Sequence, residues 1–195
     1  MCFLTVHLNS KPCSNTVFGL FISIYKFGFI QLNQIVNEPF NIGNKPGFMQ
    51  HILTLESKFR KGEGSQKPER KYIDFVVSGQ ALSQLFAIAD LDLIGTFGWS
   101  ENKAEESRQL DEFLGLKPDA LKTNRTSFYV CPNCGDIGCG AITASIEVTE
   151  TSVIWKDFSL GTDYSEPELE TYKHIGPFVF EKNMYTAELE KVRQT

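Results

Sequence analysis

The residues whose types and spacing can do chemistry are concentrated in one stretch, Tyr129 to Thr143, which reads YVCPNCGDIGCGAIT. Cys131 and Cys134 are separated by two residues, and Pro132 and Gly135 supply the tight backbone of a knuckle, so two thiolates and nearby amides can converge on one tetrahedral metal, zinc or iron. Cys139 adds a third sulfur. A closed structural zinc site takes four ligands, and no second C-x-x-C pair occurs in the chain. The candidates for the fourth place are His174, Asp136, His51 and a water molecule. Two other readings compete. The three cysteines can pack the turn between two strands as small, soft residues while Gly135, Gly138 and Gly140 meet its backbone demands. Alternatively, Cys131 and Cys134 can cycle as a redox couple, although the strand-to-helix setting usual for that chemistry is missing.

Other chemistry is sparse. The three histidines, His7, His51 and His174, are too few and too scattered to build a His-centred acid-base site, and no serine sits in G-x-S-x-G. Asp136 is expected to cap amides of its own turn. Trp99 and Trp155 are expected in the core or at its margin. Asp163, Tyr164, Glu166, Glu168, Glu170 and Tyr172 form an acidic and aromatic loop, the best candidate surface for a protein partner. Nineteen Lys and Arg against 24 Asp and Glu leave a net charge of -5. A protein that tracks phosphates presents a basic face, so this balance argues against nucleic acid and suits a basic partner.

The chain opens Met1, Cys2, Phe3 with no early positive charge, so a secretory leader is not expected. The most apolar run, Val17 to Ile30, has 14 residues and is interrupted by Lys26, whereas a membrane span needs roughly 20. Five cysteines, at 2, 13, 131, 134 and 139, are odd in number and clustered, unlike a secreted disulfide framework. The expectation is a cytoplasmic protein in which Cys2 and Cys13 are plain thiols.

The elements that must position the cysteines come from a chain of 195 residues, 42% hydrophobic and 22% charged, which fits one domain with a smaller appendage. Charge divides it: three lysines oppose one glutamate up to residue 50, and 16 basic residues oppose 23 acidic ones beyond it. Residues 1–57 are rich in aromatic and β-branched side chains between turn formers and lean toward strands. Lys58 to Lys71, KFRKGEGSQKPERK, reads as an exposed basic linker or loop. Residues 72–195 then form a domain. Tyr72 to Val77 is a strand, and Ser78 can cap a helix with Leu82, Leu85, Phe86 and Ala89 on one face. Leu93 to Trp99 is a buried strand or packed turn. Ser100 and Asn102 can cap a second helix that buries Leu110, Phe113 and Leu114 and ends at Gly115. Four strands follow at Thr126 to Val130, Ala141 to Val148, Ser152 to Phe158 and Phe178 to Phe180. A helix from about Glu181 to Val192 closes the chain with a stripe of Met184, Tyr185, Leu189 and Val192. The order predicts an α+β fold, a largely antiparallel sheet with helices packed on one face.

Ile94 to Trp99, Tyr129 to Thr143, Trp155 to Phe158 and Gly176 to Phe180 with Tyr185 give the sequence a resemblance to a family of small bacterial proteins that carry a CPxCGDxGCGAxT hairpin motif. The resemblance covers roughly residues 70–192 and implies the extent of the domain, with no activity attached. Two function classes are compatible with the residues. The first is a non-catalytic cytosolic binding protein that neutralises a basic protein partner, in its most concrete form an immunity protein that inhibits a bacterial nuclease toxin; such a protein needs no catalytic group. The alternative is a metal-binding enzyme or regulator built on the three-cysteine loop.

Overall fold

The computed structural model describes residues 50–64, 67–117 and 124–194. Of the β-leaning segment predicted over residues 1–57, residues 1–49 lie outside the described residues. The described chain folds as predicted into an α+β body dominated by strands, with two antiparallel sheets and a few short helices. Among the described residues no helix is long and apolar enough to cross a membrane.

The first sheet holds β1 (Leu53–Arg60), β2 (Arg70–Val77) and β3 (Gln80–Ala81) in that order. β1 and β2 pair along their whole length, from Leu53 against Val77 to Arg60 against Arg70. Residues 58–60 and 70–71, which the sequence placed in a linker, are therefore ladder, and the connection is confined to residues 61–69. The polar composition misled because a hairpin ladder is made by backbone groups and leaves one face to water, so charged side chains do not interrupt it. Ser78 does not cap a helix either. Ser78 and Gly79 both have positive φ, 49° and 85°, and form the tight turn between β2 and β3. The helix expected there shrinks to α1 (Leu82–Leu85), of which Leu82 is buried and Leu85 is exposed.

The second sheet runs in sequence order through β4 (Ile94–Gly95), β5 (Thr126–Val130), β6 (Ala141–Val148), β7 (Ser152–Gly161) and β8 (Phe178–Glu181). Its register puts Val148, Val153 and Phe180 in one cross-strand row and Ile146, Trp155 and Phe178 in the next, all packed in or against the core. The alternate residues face outward, where Glu147 and Lys156 pair at 2.9 Å. This is the period-two alternation of a sheet with one buried face. α2 (Lys103–Phe113) starts at Asn102, whose side chain accepts the Glu105 N–H, and buries Leu110 and Phe113. α3 (Lys182–Leu189) passes into a 3-10 turn at Glu190–Gln194. Tyr185, Leu189 and Val192 of the predicted stripe are buried, but Met184 is 63% exposed.

Phe75 of β2 joins the two sheets. Its ring lies 5.4 Å from Phe113, 5.2 Å from Phe128 and 5.7 Å from Trp155, so one aromatic cluster gathers β2 of the first sheet, β5 and β7 of the second, and α2. The sheets also touch by backbone, with the Ile73 N–H donating to Phe97 O at 2.9 Å. Gly95 lies at this crossing, where a Cβ would stand 1.9 Å from Ile73 O, so only glycine lets the backbones approach.

Beneath the cluster lies a carboxyl group that the sequence analysis missed. Asp74 is fully buried within β2. It accepts hydrogen bonds from Tyr129 Oη (2.6 Å), Ser83 Oγ (2.5 Å) and the Phe75 N–H (2.9 Å). Burial, followed by the neighbouring Asp74 carboxyl, pushes the Tyr129 phenol well above its ordinary pKa, so Tyr129 stays a donor.

Candidate metal centre

Residues 131–140 connect β5 to β6, which pair antiparallel behind them from Thr126 against Ala144 to Tyr129 against Ile142. Two turns fill this connection. The first is closed by the Gly135 N–H on Cys131 O at 2.9 Å, with Gly135 in the left-handed region at φ 68°. The second is a 3-10 turn at Ile137–Cys139, capped by Asp136, whose Oδ1 accepts the Gly138 N–H at 2.7 Å. Asp136 thus has the capping role expected of it.

The two turns bring the three sulfurs together. The Sγ atoms of Cys131, Cys134 and Cys139 all lie within 4.8 Å of one another, and those of Cys134 and Cys139 are 3.5 Å apart. Two thiolates on a tetrahedral zinc with Zn–S bonds of about 2.3 Å stand about 3.8 Å apart, so the cluster is close to the size the ion requires. Cys131 is half-buried, and Cys134 and Cys139 are exposed. The Asp136 N–H points at Cys134 Sγ at 3.4 Å. The hydrogen bond with Cys134, reinforced by the charges of Cys134 and Cys131, pushes the Cys139 thiol up to about 11. Burial works against the Cys131 thiolate, but the backbone amides of Asn133 and Cys134 and the two neighbouring thiols outweigh it and hold that thiol below its ordinary value.

None of the protein candidates for a fourth ligand joins the sulfurs. Among the described residues the cluster that can hold a metal consists of the three cysteines alone. Asp136 is committed to its own turn. The His51 Nδ1 accepts the Val179 N–H at 3.1 Å, and its ring stands edge-on to Phe178 at 5.2 Å, which fixes it beside β8. His174 is exposed in the loop that precedes β8.

Support for the knuckle comes from residues far away in sequence. Arg70, at the start of β2, donates from Nε to Pro132 O at 3.0 Å, inside the C-x-x-C turn. Its guanidinium also lies 5.3 Å from the centre of the Trp99 ring. Trp99 in turn closes on the knuckle, since a Cβ on Gly135 would meet it at 3.1 Å. Arg70 was indistinguishable in sequence from the other charges of its run. No local signal marks a residue whose partner is 62 positions away.

The acidic and aromatic loop divides. Tyr164 is 79% exposed and rests on the second turn of the centre, its hydroxyl 2.4 Å from where a Cβ on Gly138 would sit. The Asp163 carboxylate, then that of Asp136, raises the Tyr164 phenol. Asp163 and Glu166 are exposed beside it. Glu168 folds back on its own loop, where the Thr171 hydroxyl (2.6 Å), and then the Glu170 N–H (2.8 Å), donate to its carboxylate and lower its pKa. Glu170 pairs with Lys173 at 2.6 Å. Tyr172 turns inward and meets Phe86 edge-on at 5.2 Å. Tyr164, with Asp163 beside it, is thus the part of the predicted partner surface that adjoins the cysteine turns. Comparison with protein-family models, with curated proteins and with solved structures gives no match to this chain.

Proposed function

We propose that this chain is a metal–thiolate regulator that holds one zinc ion through Cys131, Cys134 and Cys139, with no fourth protein ligand among the described residues. The observation that carries the reading is the convergence of three sulfurs from two separate turns within 4.8 Å. Soft thiolates select zinc, copper(I) or iron–sulfur clusters over hard cations. A set of three protein ligands with one open place suits exchangeable zinc better than a closed structural site. Three thiolates more than neutralise a divalent ion, so water bound there is acidified less than on an all-histidine site. That charge balance favours a regulator that takes an incoming ligand over a hydrolase. The test is metal analysis of protein purified without chelator, followed by cobalt substitution. One equivalent of metal and thiolate-to-cobalt charge-transfer absorption are expected; protein that takes up neither has no such centre.

A second reading, neutralisation of a basic protein such as a nuclease toxin, is supported by the exposure of Tyr164 between Asp163 and Glu166. Charge steers the encounter, and an exposed aromatic supplies contact area once the partners meet. Changing Asp163→Lys and Glu166→Lys together should slow association with a basic nuclease encoded beside this gene by about tenfold at low salt. Stopped-flow measurement across a salt series reads this, and a neighbouring product that is neither bound nor inhibited removes the reading.

A further inference from the structure

The same three sulfurs are unequal in a way that metal binding does not require. Cys134 and Cys139 are both exposed, and their Sγ atoms are 3.5 Å apart across two turns that contain Gly135 and Gly138. Cys131 is half-buried. Its carbonyl is held by the Gly135 amide, and the next carbonyl, that of Pro132, is held by Arg70. A disulfide needs an S–S distance of about 2.05 Å, so the exposed pair has to close by about 1.5 Å within a short surface turn.

We infer that Cys134 and Cys139 form an oxidisable dithiol, and that their conversion to a disulfide by hydrogen peroxide expels the metal from the centre. The release of metal rests on the zinc reading above; formation of the disulfide does not. In the reaction one of the two thiolates attacks the peroxide, the O–O bond breaks, hydroxide leaves and the sulfur becomes a sulfenic acid. The second thiolate attacks that sulfur, the S–S bond forms and a second hydroxide leaves. Two protons turn both hydroxides into water. Two electrons have passed from the sulfurs to the peroxide, and zinc keeps its charge. A disulfide is a poor ligand, so the ion retains Cys131 alone and is lost to solvent. Reduction by a low-molecular-weight thiol restores both thiolates, which makes the centre a reversible peroxide-sensitive switch.

The experiment uses the full chain, reduced, freed of reductant and loaded with one equivalent of zinc. A parallel sample is kept metal-free. Each receives one equivalent of hydrogen peroxide, released zinc is followed with a chelating dye, and free thiols are then alkylated. Cleavage with trypsin and an aspartate-directed protease separates Thr126 to Gly135 from Asp136 to Lys156, because Asp136 lies between the two cysteines and no Lys or Arg falls between Thr126 and Trp155. The expected result is a disulfide joining the two fragments, with the alkyl group on Cys131 and about one zinc released per disulfide formed. Cys131→Ser should still form the bond, and Cys139→Ser should not. A bond between Cys131 and Cys134, a bond to Cys2 or Cys13, or a sulfinic acid at Cys139 overturns the inference, as does zinc lost without this bond. If metal-free protein forms the bond but reduced protein never takes zinc, the dithiol stands and the metal reading fails.

Discussion

Exchanging Cys134 for serine is expected to weaken zinc binding by more than about a hundredfold, because changes to residues that merely support metal ligands already cost about 10–100-fold. A serine hydroxyl stays protonated at neutral pH and cannot take the place of a thiolate. Cys131→Ser and Cys139→Ser should lose a similar amount. Competition against a chromogenic chelator measures all three. Arg70→Ala gives a graded comparison: the sulfurs remain, but the tether from β2 to Pro132 O is gone, and a loss of about tenfold is expected. Cys134 and Cys139 are exposed, so their serine variants should unfold in urea close to the metal-free parent. Undiminished zinc affinity in Cys134→Ser would place the metal elsewhere and leave the cluster as packing alone.

The second large effect is expected at Asp74. Asp74→Ala should destabilise the fold by about 3 kcal/mol, since a buried hydroxyl without its acceptor costs about 1–3 kcal/mol and the truncated side chain leaves a void. The Tyr129 hydroxyl takes most of that penalty, because its residue is fully buried, whereas Ser83 is only half-buried and can turn to water. Tyr129→Phe alone should cost less. In Asp74→Ala combined with Tyr129→Phe, no phenol is left without an acceptor, so the double variant should be more stable than the sum of the single losses predicts. Urea denaturation of the four proteins gives the coupling. Strict additivity would mean that the 2.6 Å contact between Tyr129 and Asp74 contributes nothing to stability.

Local patterns account for most of what the sequence determined about this protein. The bounds of β5 and β6 agree with those read from β-branched and aromatic runs, and α2 begins at Asn102 and buries Leu110 and Phe113 as its capping and spacing require. Spacing also marked the three cysteines, because a C-x-x-C knuckle followed by a glycine-rich turn has few ways to fold and most of them bring the sulfurs together. A lone acid inside the apolar run Tyr72 to Val77 was a signal for the Asp74 network, but its partners, Tyr129 and Ser83, lie on other elements. Tertiary structure alone decided the rest. It divided the strands between two sheets, took the ends of the basic run into a ladder, reduced the helix after Ser78 to one turn, turned Tyr172 inward and set Arg70 against Pro132. Apart from the shortened helix, which follows from the local Ser78–Gly79 turn, these outcomes depend on residues apart in sequence, and the hydrophobic effect that gathers them is nondirectional. A period of 2 or 3.6 along one segment specifies which face is buried. Which other segment buries it is settled only when all the faces pack at once, and the metal centre inherits its supports from that packing.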